Sequence, residues 1–162
     1  NNGLGVKFTV FGPGCGNSVS RAEYRDIKLN QWNHIAGIYN AATQSLNIAI
    51  NGKLSSTPTS VTVSTFCSDP TFNFTVGGIY NTNTIPFSGY IDEVRISDTV
   101  RYLSDFAPAT ADFTNDANTR GLWHFSEPVD AISFGDASPQ GNTLTGIKGA
   151  KSAQPASGWE KP

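Results

Sequence analysis

The clearest hydrophobic pattern runs through LNIAINGK. There Leu46, Ile48 and Ile50 alternate with Asn47, Ala49 and Asn51, the period of a strand with one buried face. Asn51-Gly52 follows directly and supplies the positive φ angles of a two-residue hairpin. Upstream, Trp32–Tyr39 places Trp32, His34, Ala36 and Ile38 on one face and Asn33, Ile35, Gly37 and Tyr39 on the other. Both faces are partly apolar, which predicts a strand in the middle of a sheet. Further strands are predicted at Gly5–Phe11, Val19–Arg25, Ser45–Ile50, Ser60–Ser64, Phe72–Ile79, Phe87–Ile96, Leu122–Phe125 and Asn142–Ile147. Gly77-Gly78 reads as a bulge or bend. A single helical turn is expected at Asp98–Ser104, with Asp98 as its cap. Short strands at this spacing, separated by Gly, Pro, Asn and Ser, predict an all-β sandwich or jelly roll.

Composition supports that class and excludes others. At 162 residues the chain has the size of one sandwich domain. Ser, Thr and Asn number 16, 16 and 14 while only 15% of residues are charged, a balance suited to half-buried strands and polar turns of an extracellular β-protein. Net charge is −2 and no basic run occurs, so a nucleic-acid partner and an anionic membrane surface are not expected. No apolar run approaches the roughly 20 residues of a membrane span, and no membrane insertion is expected. Met is absent and the chain opens Asn1-Asn2-Gly3, which leads us to expect a processed or trimmed piece of a longer precursor. The two cysteines, in GPGCGNS and STFCSDP, are expected to form a Cys15–Cys67 disulfide; two buried thiols are the alternative. The Asn73-Phe74-Thr75 sequon matters only in a eukaryotic secretory host.

Five segments in order resemble the laminin G-like branch of the concanavalin A-like jelly rolls, in its bacterial and phage-type form. They are Trp32–Ala36, Leu46–Lys53, Val76–Gly78, Phe87–Ser97 (FSGYIDEVRIS) and a continuation made of Asp98–Phe106 and Asp116–Glu127, the last ending in LWHFSE where the family has L-W-H-F-D-E. Ser126 therefore stands in the place of an Asp. The segment Gly121–Gly146 is similar to one that often begins such domains; it either completes this domain from the C-terminal end or begins a second repeat. The resemblance implies an antiparallel two-sheet jelly-roll sandwich over residues 1–147, with 148–162 a flexible extension or linker on which Trp159 stands out. It also implies a structural calcium ion, with Asp92, Asp136 and Glu127 as candidate ligands. The bland reading of Asp92 and Asp136 is hydrogen bonding within turns.

Catalysis is not expected. A retaining glucanase needs two carboxylates on one side of a strand, and no E-x-D-x-E run exists; Asp92 and Glu93 are adjacent and point to opposite faces of a regular strand. Neither the Arg, Gln-x-His and Tyr set of a lyase nor a G-x-S-x-G elbow is present. His34 and His124 alternate with apolar neighbours and read as core histidines holding backbone groups. Exposed aromatics beside amides suit sugar rings and hydroxyls, which singles out Tyr80, Asn81 and Asn83, then Tyr39 and Asn40, with Tyr24, Tyr102 and Trp159 behind them. The expected function is a non-catalytic, secreted or cell-surface binding module for a glycan or an extracellular protein, as in cell adhesion. The alternatives are an assembly repeat of an adhesin, fibre or phage tail and, more weakly, a carbohydrate-active enzyme.

Overall fold

The structure is a computed structural model that describes residues 5–15, 19–62, 65–68, 73–78 and 86–155. Within them lie ten strands and no helix: β1 (Val6–Phe11), β2 (Val19–Tyr24), β3 (Ile35–Asn40), β4 (Ser45–Ile50), β5 (Lys53–Leu54), β6 (Thr59–Ser60), β7 (Val94–Ser97), β8 (Thr119–Trp123), β9 (Ser133–Phe134) and β10 (Leu144–Thr145). All pairings are antiparallel. The chain forms two compact units, residues 1–73 with 102–108, and residues 74–101 with 109–162.

In the first unit β4 pairs with β3 along its whole length, from Ile35 opposite Ile50 to Asn40 opposite Ser45, and at its two ends with β5 and β6. Leu46, Ile48 and Ile50 pack with Ala22 of β2 into a buried cluster that Val6, Phe8 and Val10 of β1 also cover. Each such aliphatic side chain contributes about 1.5–3 kcal/mol on burial. The predicted alternation holds, but Ala49 is buried too, so both faces of β4 are covered there. The hairpin is the one the dipeptide demands, with φ of 50° at Asn51 and 79° at Gly52.

The predicted strand from Trp32 begins only at Ile35. Asn33 donates its side-chain amide to the carbonyls of Lys28 (2.7 Å) and Gln31 (3.0 Å), a local bonding pattern that competes with a sheet ladder. Ser60–Ser64 shortens similarly, because Thr62 N–H turns to Ser20 Oγ at 3.1 Å; residues 63 and 64 lie outside the described set. Cys15 and Cys67 are bonded, and Cys67 N–H donates to Phe11 O at 2.8 Å, tying the end of β1 to that loop.

In the second unit Val94 pairs with Trp123 and Ile96 with Gly121, with an irregularity between Ile96 and Ser97. Trp123 is buried, donates Nε1–H to Asn142 O at 2.9 Å and stacks on Phe74 at 5.3 Å between centroids. Three expectations fail here. Residues 73–78 form bends, with Thr75 Oγ1 bonding Gly78 O at 2.7 Å, so no strand passes through them. The Phe87–Ile96 strand reduces to its end, Val94–Ser97, because Glu93 takes a left-handed φ of 51° that interrupts extension. Asp98–Ser104 makes no helical turn either. Asp98 pairs with Arg120 instead of capping, and Arg101 reaches back to Ser97 Oγ (2.7 Å) and both oxygens of Asp116 (2.6 and 2.7 Å). Within the segment after residue 147, Ser152 is buried, its N–H donates to Ala131 O at 2.9 Å and its hydroxyl to Pro128 O. Trp159 lies outside the described residues.

The Arg101–Asp116 pair gives a pH signature. Arg101 holds the Asp116 carboxyl well below its ordinary 3.8, helped by the Thr119 hydroxyl and the Asn118 N–H. A depressed carboxyl stabilises above the unfolded-state value, and that stability is lost as pH falls through the folded one. Asp116→Asn should therefore lower the urea midpoint at neutral pH, and its gap from wild type should close on acidification below about pH 3.8. A gap that stays constant down to acid would show that the carboxylate charge is not the cause.

Candidate functional site

The end of β2 and the turn after β5 enclose an open concavity of about 570 Å³ in the first unit. Glu23, Tyr24 and Arg25 form one wall, Leu54 to Thr57 the other. The concavity is shallow, polar and broadly open to solvent. Tyr24 is half-buried and leans on the core cluster, which fixes its ring. Arg25 pairs with Glu23, giving a planar donor fork beside a carboxylate. Ser55, Ser56 and Thr57 add hydroxyls. Asp105 closes the hairpin beside this shelf, accepting from Lys53 Nζ at 2.8 Å and from Leu54 N–H at 3.0 Å. The Asp105 hydrogen bond and charge raise the Lys53 ammonium above its ordinary 10.5, and the same contacts lower the Asp105 carboxyl. The shelf thus brings together a tyrosine, hydroxyls and internally compensated charges.

The residues predicted as ligand contacts fare differently. Tyr80, Asn81 and Asn83 lie outside the described residues. Tyr39 meets Phe66 edge-on at 4.7 Å, and Asn40 Oδ1 accepts from the N–H groups of Ala42 (3.0 Å) and Thr43 (3.4 Å), closing the β3–β4 turn. Both have structural work in hand. Tyr102 stacks on Phe106 at 3.6 Å, and His34 meets both rings edge-on.

Of the carboxylates implied as calcium ligands, Asp136 has both oxygens taken up by donors. Asp136 Oδ1 accepts from Leu122 N–H (2.9 Å) and Ser138 N–H (2.8 Å), and Oδ2 from Ser138 Oγ (2.9 Å) and Asn142 N–H (2.9 Å). Four donor protons face the oxygens that a cation would need. Burial pushes this carboxyl upward, but the three backbone donors and the hydroxyl outweigh it and hold it below 3.8. Asp92 Oδ1 accepts from Glu93 N–H at 3.1 Å, and Glu127 Oε1 from Gly135 N–H at 2.9 Å. These three carboxylates do not gather into one set.

A different set gathers in the second unit. Glu93 precedes β7 and His124 follows β8, so the Val94–Trp123 pairing sets them side by side. His124 Nδ1 lies 2.9 and 3.1 Å from the two Glu93 oxygens, so the histidine holds a carboxylate, not the backbone group expected of it. Asp112 joins them: one donor atom from each of the three lies within 4.8 Å of the others. Sequence reading missed Asp112 altogether, and it passed over Glu93 by assigning it to a regular strand. No spacing along the chain marked the three as a set, because Glu93 and His124 both fall inside predicted strands that the structure ends one residue short of them.

A laminin G family model, described as the concanavalin A-like lectin/glucanases superfamily, matches residues 2–105. The match spans more than half the chain, which belongs to that family, and it ends before the Asp112 and His124 positions. No curated protein and no solved structure gives a significant match.

Proposed function

We propose that the chain is a non-catalytic binding module of a secreted or surface protein, and that it takes a glycan at the Tyr24 shelf. The observation that carries this reading is the concavity itself, which sets a core-anchored tyrosine against Arg25, Glu23 and the Ser55–Thr57 hydroxyls. An aromatic face suits the apolar side of a pyranose ring, and hydroxyls with a guanidinium–carboxylate pair suit its hydroxyls. Superfamily membership fits a binding module. The Cys15–Cys67 bond fits an oxidising compartment. The lack of any E-x-D-x-E run favours binding over hydrolysis. In this reading residues 1–147 make one two-sheet jelly roll.

A glycan array probed with wild type, Tyr24→Phe and Arg25→Gln tests it. Wild type should retain a glycan class, and Arg25→Gln should weaken it about tenfold or more by leaving hydroxyls unpaired. Tyr24→Phe keeps the ring and its packing and should bind nearly as wild type. An array blank for wild type, or equal binding by Arg25→Gln, would end the proposal and favour the assembly-repeat reading.

A further inference from the structure

We propose that Glu93, Asp112 and His124 bind one divalent transition-metal ion of the zinc type. The inference concerns residues of the second unit alone and does not depend on the glycan reading. Its first support is the donor set: one imidazole nitrogen and two carboxylate oxygens, mutually within 4.8 Å. Bonds of about 2.0–2.2 Å in a tetrahedral site place donor atoms about 3.4 Å apart. Nδ1 of His124 and the Glu93 oxygens already lie at 2.9 and 3.1 Å. Asp112 supplies the third donor from an exposed position. Nitrogen with carboxylate oxygen is a borderline combination that suits zinc, whereas calcium takes oxygen ligands throughout.

The second support is how firmly the three positions are presented. The left-handed φ of 51° at Glu93 departs from the strand alternation just where the side chain meets His124. Phe113 N–H donates to Glu93 Oε2 at 2.9 Å, and the Arg95 guanidinium sits 4.2 Å over the Phe113 ring. The first of these contacts ties the backbone next to Asp112 to Glu93. The third support is shielding. The Glu93 side chain is 14% exposed and that of His124 29%, so water competes weakly for two of the three ligands while Asp112 leaves an approach for the ion. Three protein ligands leave a further coordination position for water or a ligand group.

The test uses the full chain, stripped with chelator and then titrated with Zn²⁺ by calorimetry and with Co²⁺ by visible absorption. One ion per chain is expected, with Co²⁺ bands of a tetrahedral or five-coordinate centre. His124→Gln and Glu93→Gln should each weaken Zn²⁺ by more than about tenfold, the least that losing even a supporting partner costs. Because Glu93→Gln could disturb the β7–β8 pairing, Asp112→Asn at the exposed position serves as the gentler variant and should also weaken binding. His34→Gln should bind as wild type. Absence of Zn²⁺ binding by wild type, retention in His124→Gln, loss in His34→Gln, or a preference for Ca²⁺ over Zn²⁺ would each overturn the proposal. A blank glycan array alongside intact zinc binding would remove the glycan reading alone.

Discussion

Reducing the Cys15–Cys67 bond should lower stability by about 4 kcal/mol, the chain-entropy value for a closed loop of this length. The bridged residues are 52 positions apart, so the bond restricts most of the first unit in the unfolded chain. It spans β2 to β6, including all of β4, whose Leu46, Ile48 and Ile50 make the buried cluster. In the folded state it continues a contact already present, Cys67 N–H to Phe11 O at 2.8 Å. At about 2–4 °C per kcal/mol for a chain of this size, the melting temperature should fall by roughly 8–16 °C. Thermal unfolding with and without reductant measures this, and the Cys15→Ala, Cys67→Ala double variant should reproduce the reduced value. Intact mass should rise by about two daltons on reduction. A melting temperature that ignores reductant would show that the loop is already restricted in the unfolded chain.

What the sequence made legible was local. Ser45–Ile50 appears with the predicted bounds because its period-2 pattern and its Asn-Gly turn agree with each other. The cysteine pairing was legible because only two cysteines exist. Errors cluster where a polar side chain or a left-handed residue ends a run that hydrophobicity would continue, as Asn33 does before β3 and Glu93 before β7. The strand Ser133–Phe134 had no periodic signal, because two residues show no period; it exists through its partner Leu144–Thr145. The candidate sites were less legible than the fold for the same reason. Tyr39 and Asn40 look like ligand contacts as a dipeptide, yet one packs on Phe66 and the other closes a turn. Asp136 looks like a calcium ligand by resemblance, and four donors surround it. Glu93, Asp112 and His124 come together through the register of β7 on β8 and a bond to Phe113, which no spacing along the chain encodes.

Gly52→Ala should cost about 3 kcal/mol or more, and the reason is separable from the turn itself. Gly52 has φ of 79°, and a Cβ there would lie 1.9 Å from Phe106 O and 3.0 Å from both Phe106 C and Pro108 Cδ. Left-handed φ alone costs an L-residue about 1–2 kcal/mol. The overlap is with backbone, so relief requires the 106–108 segment to withdraw. That withdrawal would break the hydrogen bond from Phe106 N–H to Gly52 O at 2.9 Å, worth about 1 kcal/mol. It would also loosen Phe106 from its stack on Tyr102 and its edge contact with His34. Gly14 is the matched control, with φ of 80° and nothing among the described residues within 4 Å of its added Cβ. Gly14→Ala should incur the conformational cost only, about 1–2 kcal/mol. Urea unfolding of both variants reads the difference, which belongs to the close approach of the 106–108 segment to the hairpin. Equal losses would mean that this segment yields to a methyl group, and that the turn angle is all Gly52 supplies.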